Sequence, residues 1–147
     1  LLKWVRENGT CPMTRDDLSL YIPLLESVQK KAEDLRKECF KIGNVYSHRK
    51  EVAKSDKEAV KWYRLAADEG LKEAQFKLGW MYQEGEGVEL VYSEEGRLEV
   101  AATWYELAAD QGYSRALLQL SNMYRDGIGV EQDIEKSLKL LCKMFDD

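Results

Sequence analysis

The chain has 147 residues, 44% of them apolar and 33% charged, with a formal net charge of −5. That length suits one domain or a short array of small repeats, and the apolar content is too high for wholesale disorder. No charge-free apolar stretch approaches the roughly 18–20 residues of a membrane span, and the acidic balance repels phosphate backbones, so neither a membrane nor nucleic acid is expected as a partner.

The charge is unevenly divided. Residues 1–50 carry 10 Lys/Arg against 7 Asp/Glu, whereas residues 51–147 carry 12 against 20. Steering by the second part favours a basic protein partner or peptide. Cys11, Cys39 and Cys142 are too few and too irregularly spaced for a disulfide framework or a zinc set, and His48 is the only histidine. They read as reduced cysteines of a cytoplasmic or nuclear protein, with no metal and no cofactor expected. No secretory signal opens the chain, and a start at Leu1-Leu2 without Met reads as a cut from something longer. Pro12 and Pro23 are the only prolines. The proline-free remainder, rich in Ala, Leu, Glu and Lys, is expected to be helical.

In chain order, a short helix is expected to end near Asn8-Gly9, and Cys11-Pro12 to open a loop. Asp16-Asp17 caps the segment after it, and residues 24–42 form a helix with Leu24, Leu25 and Val28 apolar at one end and Leu35 further along. Beyond this helix the chain repeats itself. Residues 60–88 slide by 42 positions onto residues 102–130 with 14 of 29 identities, including Trp62/Trp104, Tyr63/Tyr105, Ala66/Ala108, Gly70/Gly112, Leu78/Leu120 and Tyr82/Tyr124. Ser55-Asp56-Lys57-Glu58 is a capping-box start for a first helix, whose Trp62, Leu65 and Ala66 fall on one face, and Gly70 suits its left-handed end. Ala74, Leu78 and Tyr82 follow at i, i+4 and i+8 on a second helix. Ala66, Ala67, Ala74 and Gly79 are small enough for the two backbones to approach closely, and Trp62, Tyr63 and Tyr82 supply most of the buried area. Gly85 and Gly87 punctuate the next loop, which Val88 anchors.

Each unit is thus a helix hairpin that cannot bury its apolar face alone and must stack on a neighbour. Ile42-Gly43 and Tyr46 mark a preceding second helix, 36 positions before Leu78-Gly79 and Tyr82. Asp133, Lys136-Ser137 and Leu140-Leu141 mark a closing first helix. With 36 as the natural period, the middle junction holds six extra residues within Glu89–Val100.

Ala59, Trp62-Tyr63, Ala66-Ala67, Gly70, Ala74, Leu78-Gly79, Tyr82, Gly85 and Gly87-Val88 resemble the pattern of Sel-one-like repeats, relatives of the tetratricopeptide repeat. The second unit, Ala101 through Val130, departs from it at Ser121, which stands in place of glycine. The resemblance spans about residues 38–147. It implies an all-α fold, a right-handed α-solenoid over residues 36–147 that binds other proteins on its concave surface and carries no chemistry.

Residues 1–35 fall outside the repeat and admit two readings. One is an amphipathic helical cap over the open end of the solenoid. The other rests on Trp4, Cys11-Pro12-Met13-Thr14-Arg15, Leu18 and Ile22-Pro23, which resemble the C-terminal part of a U-box, a ubiquitin-ligase fold that uses hydrogen bonds where a RING uses zinc. That resemblance implies contact with a ubiquitin-conjugating enzyme through Trp4 and Pro12, and with ubiquitin through Arg15. The first loop and hairpin of a U-box are missing, so this chain alone is not expected to be an active ligase.

No catalytic set can be assembled. His48 stands alone, the adjacent carboxylates Glu94-Glu95 and Asp146-Asp147 read as solvated, and Gly85-x-Gly87 and Gly127-x-Gly129 follow helices without a P-loop lysine. Cys39 and Cys142 read as core fillers. Binding candidates are better founded. Trp80 stands where the next unit has Asn122, a position that tolerates exposure. The inserted loop carries Leu90, Val91 and Tyr92 among acids. Lys61, Arg64 and Asp68, with their counterparts Thr103, Glu106 and Asp110, lie off the apolar stripe of the first helices, on the face that the family resemblance assigns to the concave groove. The sequence thus points to a protein-recruiting scaffold, either the substrate arm of a U-box ligase or a plain structural adaptor.

Overall fold

A computed structural model of the chain describes residues 15–48, 55–88 and 93–145. Among them lie six α-helices and no strand: α1 (Arg15–His48), α2 (Asp56–Asp68), α3 (Lys72–Glu84), α4 (Glu94–Asp110), α5 (Ser114–Asp126) and α6 (Ile134–Phe145). The chain divides into two compact units, Leu1–Leu35 and Arg36–Asp147. In the first, the described residues are the opening turns of α1, where Val28 is exposed, as is Leu35 at its end. The expected start at residue 24 and the cap at Asp16-Asp17 are both corrected. Proline lacks the amide proton that an interior helix position donates, yet α1 carries Pro23 inside it and takes in Asp16 and Asp17 as well.

The second unit is a series of hairpins, α2 with α3 and α4 with α5, entered from the end of α1 and closed by α6. Their boundaries follow local chemistry. The Ser55 side chain accepts from the Glu58 amide and starts α2, and Ser93 does the same for Gly96 at the head of α4. At the far end of α2, Gly70 adopts φ 85° while its amide bonds Ala67 O and the Leu71 amide bonds Ala66 O. The same pair of bonds recurs at Gly112 and Tyr113. Gly87 (φ 68°) and Gly129 (φ 68°) lie directly against the backbone of Asp56 and Leu98, equivalent residues at the start of α2 and in the first turns of α4. A side chain at either glycine would meet a carbonyl that cannot move aside. Of the six inserted residues, four appear as an added helical turn, since α4 has 17 residues where α2 has 13.

The buried stripe of the first helices is not the expected one. Ala59, Val60, Tyr63, Ala66 and Ala67 are buried on α2, whereas Trp62 is half-buried and Leu65 is 53% exposed. Both stripes satisfy the helical period, and Tyr63, one residue on from Trp62, is the ring that goes inside. Its counterpart Tyr105 is likewise fully covered.

Those two tyrosines set the stacking. A Cβ on Gly43 would lie 2.7 Å from the Tyr63 ring, and one on Gly79 would lie 2.9 Å from the Tyr105 ring. Gly79 was expected to bring the two helices of its own hairpin together; it is instead the seat for a tyrosine of the following first helix. Phe40 and Phe76 brace these rings at centroid distances of 5.7 and 5.5 Å. The hydroxyls donate to Asn44 Oδ1 at 2.8 Å and Gln83 Oε1 at 2.9 Å. Burial raises both phenol pKa values.

At the last interface Ser121 replaces the glycine, Leu141 replaces the tyrosine, and Ser137 stands at the position of Ala59 and Ala101. The Ser121 hydroxyl bonds Ser137 Oγ at 2.8 Å and Ser137 O at 3.1 Å. With no ring to seat, the position takes a side chain, and a hydrogen bond replaces the aromatic contact. On α6, Leu138 (57% exposed) and Phe145 (80%) occupy the positions of the buried Val60 and Ala67.

Gly79→Ala is expected to lower stability. Helix propensity gains about 1 kcal/mol, but the ring contact at 2.9 Å and the Ala101 carbonyl at 3.2 Å oppose it with an overpacking cost of about 1–3 kcal/mol. Urea unfolding should show a net loss that shrinks in a Tyr105→Leu background. Leu78→Asp, which charges a fully buried position, is expected to abolish the cooperative thermal transition. A phenol raised in the folded state stays protonated there while the unfolded one ionises, so stability is complete below the unfolded value near 10 and falls above it. Each such phenol contributes a slope of about 1.4 kcal/mol per pH unit. Urea midpoints between pH 9 and 11.5 should fall less steeply for Tyr105→Phe than for the wild type.

Candidate protein-interaction surface

Burying the stripe Ala59–Tyr63–Ala66 leaves the opposite side of α2 to solvent. Lys57, Lys61, Arg64 and Asp68, at i, i+4, i+7 and i+11, are all exposed there. The matching positions of α4 hold Glu99, Thr103, Glu106 and Asp110, exposed except for Glu106, which is half-exposed. All six residues that the sequence singled out on the first helices are therefore accessible, and within each unit they share one face.

Tyrosines from the second helices fix this face from below. The Arg64 guanidinium donates to the Tyr82 hydroxyl and lies 5.9 Å from the ring centroid. One unit on, the Tyr124 hydroxyl donates to Glu106 Oε1 at 2.6 Å. Lys136, from the first turn of α6, donates to the same hydroxyl, sits 4.1 Å from the Tyr124 ring centroid and reaches Glu106 Oε1 at 3.5 Å. The hydrogen bond with Tyr124 is the main cause that raises the Lys136 pKa, with Glu106 adding to it. Burial, followed by the bond to Glu106, raises that of Tyr124. The sequence reading used Tyr82 and Tyr124 only as core residues and missed Lys57 and Lys136. The available signal was the identity of the two tyrosines beside a charge change at position 64/106.

A shallow cavity of about 350 Å³ opens beside Arg64, between Lys57, Lys61, Val60, Val88 and Tyr82. A more open cleft of about 540 Å³ runs between Tyr124 and the Glu131–Lys136 segment. Trp80 is 36% exposed on α3, two residues before Tyr82, and lines neither opening. Tyr92 lies outside the described residues, as do Trp4 and Pro12. Arg15 is described only as the first residue of α1. Cys39 is half-buried against the core, but Cys142 is exposed, which corrects its reading as a core filler; it falls on the side of α6 turned away from Ser137. Among the described residues no group of three His, Cys, Asp or Glu is placed to hold a metal ion, and no helix is long and apolar enough to cross a membrane.

The Sel1 repeat family model matches residues 39–71, 72–113 and 114–146. Each matched stretch runs from a second helix into the first helix of the next hairpin. A Sel1 repeat protein from Oxalobacter formigenes, solved as a crystal structure, is 31% identical, with a TM-score of 0.65, over 83% of this chain and 88% of its own. The crystal structure of c5321, a protective antigen of uropathogenic Escherichia coli strains with an SLR fold, is 25% identical with a TM-score of 0.69. That match covers 99% of this chain but 28% of the antigen. No curated protein matches. None of these comparisons supports the U-box resemblance of residues 1–35. Three matched repeats and the tyrosine-in-glycine stacking between hairpins make this chain a member of the Sel1 repeat family, built as an all-α repeat solenoid.

Proposed function

We propose that the chain is a non-catalytic scaffold that recruits a protein partner through the exposed face of its first helices. Sel1 repeats are protein–protein interaction modules. The observation that carries the choice of face is the pair of tyrosine-anchored charges, Arg64 and Glu106, held in register on α2 and α4. Flexible surface charges lose side-chain entropy when a partner binds; side chains already pinned by a buried tyrosine lose less. The repeat region as a whole is predominantly acidic and draws a basic partner toward the chain, while the α2 part of the face carries Lys57, Lys61 and Arg64.

A finer version makes this solenoid the substrate arm of a U-box ligase that engages a ubiquitin-conjugating enzyme through Trp4 and Pro12 and ubiquitin through Arg15. It rests on the sequence resemblance of Trp4, Cys11-Pro12-Met13-Thr14-Arg15, Leu18 and Ile22-Pro23 alone. A plain adaptor without ubiquitin chemistry needs none of these residues.

Affinity capture separates the readings. Charge reversal at Lys61→Glu, Asp68→Lys and Asp110→Lys together is expected to lower partner recovery at least tenfold with an unchanged thermal transition, while Trp80→Ala leaves recovery intact. The opposite pattern would move the interface to the second helices. For the ligase version, the native gene extended upstream by the missing half of the U-box should form ubiquitin chains with a conjugating enzyme, and Pro12→Ala or Arg15→Ala should each abolish them. An extended, folded protein that is inactive with a panel of conjugating enzymes leaves the adaptor.

A further inference from the structure

The two hairpins place opposite charges at one register position, and among the described residues only one of those charges meets an opposite ion. In the second unit, Glu106, Tyr124 and Lys136 form a closed group: the carboxylate accepts from the phenol, and the lysine of the next first helix supplies the counter-charge. In the first unit the same three positions hold Arg64, Tyr82 and Val100. Arg64 is bound to Tyr82, as Glu106 is to Tyr124, but the next first helix brings a valine where the second unit has its ion. Arg64 and Tyr82 themselves border the cavity of about 350 Å³, which Lys57 and Lys61 also line. Three cations therefore converge on one cavity in a chain whose net charge is −5.

The wall chemistry narrows the ligand. One N–H of the guanidinium is engaged by Tyr82, and the rest of the fork can take a planar carboxylate through two parallel bonds. Val60 and Val88, both buried, form an apolar wall suited to the methylene stem of an acidic side chain. Lys61 is paired with Glu58 at 2.6 Å. Both partners are well exposed, and an exposed i, i+3 pair of this kind exchanges readily for a better one. The field of the repeat region as a whole, by contrast, attracts positive charge.

We infer that the cavity beside Arg64 receives a carboxylate from a partner peptide whose flanking residues are basic or neutral. This rests on the first-helix face being the binding surface. It adds the ligand's chemistry: Arg64 and Lys61 hold the anionic group, and Tyr82 fixes the angle of Arg64. The carboxylate is that of an Asp or Glu side chain or of a peptide C terminus.

A random twelve-residue displayed peptide library, selected in parallel on the wild-type chain and on a Lys61→Glu/Arg64→Glu variant with an unchanged circular-dichroism melt, tests it. The wild type is expected to enrich Asp and Glu at least threefold at one position among basic or neutral neighbours, and the variant to lose that enrichment or replace it with Lys and Arg. Selected peptides, synthesised with fluorescein and with free or amidated C termini, should lose at least tenfold in affinity by anisotropy when the carboxylate is removed. Loss on amidation assigns a terminal carboxylate, and loss on glutamate-to-glutamine exchange assigns a side chain. Acidic enrichment that survives in the variant, or peptides selected without any acidic position, overturns the cavity site. In that case, peptides that the Asp68→Lys/Asp110→Lys variant no longer binds would still uphold the face as an interface. Failure to enrich any peptide on either protein would count against both.

Discussion

Each internal interface of the array depends on a tyrosine ring lying where a side chain on the preceding second helix would otherwise be. Tyr63 on Gly43 and Tyr105 on Gly79 approach so closely that even a methyl group on the glycine would collide. A buried tyrosine removes on the order of 150–250 Å² from water, an upper-bound stabilisation of roughly 4–6 kcal/mol at about 25 cal/mol per Å². The ring reaches that position only because no Cβ stands opposite. Because the ring belongs to the next hairpin, this contact fixes the spacing and the angle at which hairpins follow one another. Phe40 and Phe76 restrain each ring from the side, and Asn44 and Gln83 satisfy its hydroxyl. A ring held at edge, face and oxygen has one position, so the exposed side of its helix has one position too.

That connection runs from core to surface. On α2, turning Tyr63 inward obliges Lys61 and Arg64 to face outward, since a helical side chain and those one or two residues away leave in different directions, and Lys57 shares the face of Lys61 at i, i+4. The surface charges are therefore displayed by a rigid element, with the tyrosines of the second helices as a further brace beneath them. The closing interface shows that the seat can be rebuilt: Ser121 and Ser137 exchange an aromatic contact for a buried hydrogen-bonded pair. It is the position where the repeat pattern breaks in the sequence, and the break is matched across the interface by Ser137 and Leu141.

Most of the architecture was legible because it is written twice. Internal identity at Gly70/Gly112, Leu78/Leu120 and Gly87/Gly129 revealed the hairpins, their ends and their order, and the Ser55 cap and the Val88 anchor followed from local chemistry. The features that stayed hidden depend on contacts between units. Trp62 and Tyr63 are adjacent, aromatic and repeated together, so periodicity alone could not say which ring enters the core; that is decided by the glycine on another helix. Pro23 misplaced the start of α1, because a proline that begins a helix and one carried within it look alike in a single sequence. The surface was legible as a list of outward residues, Lys61 to Asp110, but its pairing was not. Lys136 answers Glu106 across 30 residues, a relation that no spacing rule within one helix contains.

The same repetition separates what the fold requires from what it leaves free. Between the two internal units, the ring, the left-handed glycines and the second-helix tyrosine are retained, while Lys57, Lys61 and Arg64 become Glu99, Thr103 and Glu106. Reversing a charge at an exposed position costs little when the backbone beneath it is held by buried contacts. It changes much for a binding partner, because complementary charge selects among partners more than it stabilises any one of them. The insertion behaves in the same way: it lengthens α4 by a turn and leaves the seat of Tyr105 intact. In the second unit the exposed charge has been answered from within by Lys136; in the first, the same position holds Val100, and no described residue supplies Arg64 with an opposite ion. Stability favours closing such a charge internally, and leaving it open costs only a weak surface pair. An open charge on a rigid face in an otherwise closed pattern is therefore where selection for binding, and not for folding, has the freer hand.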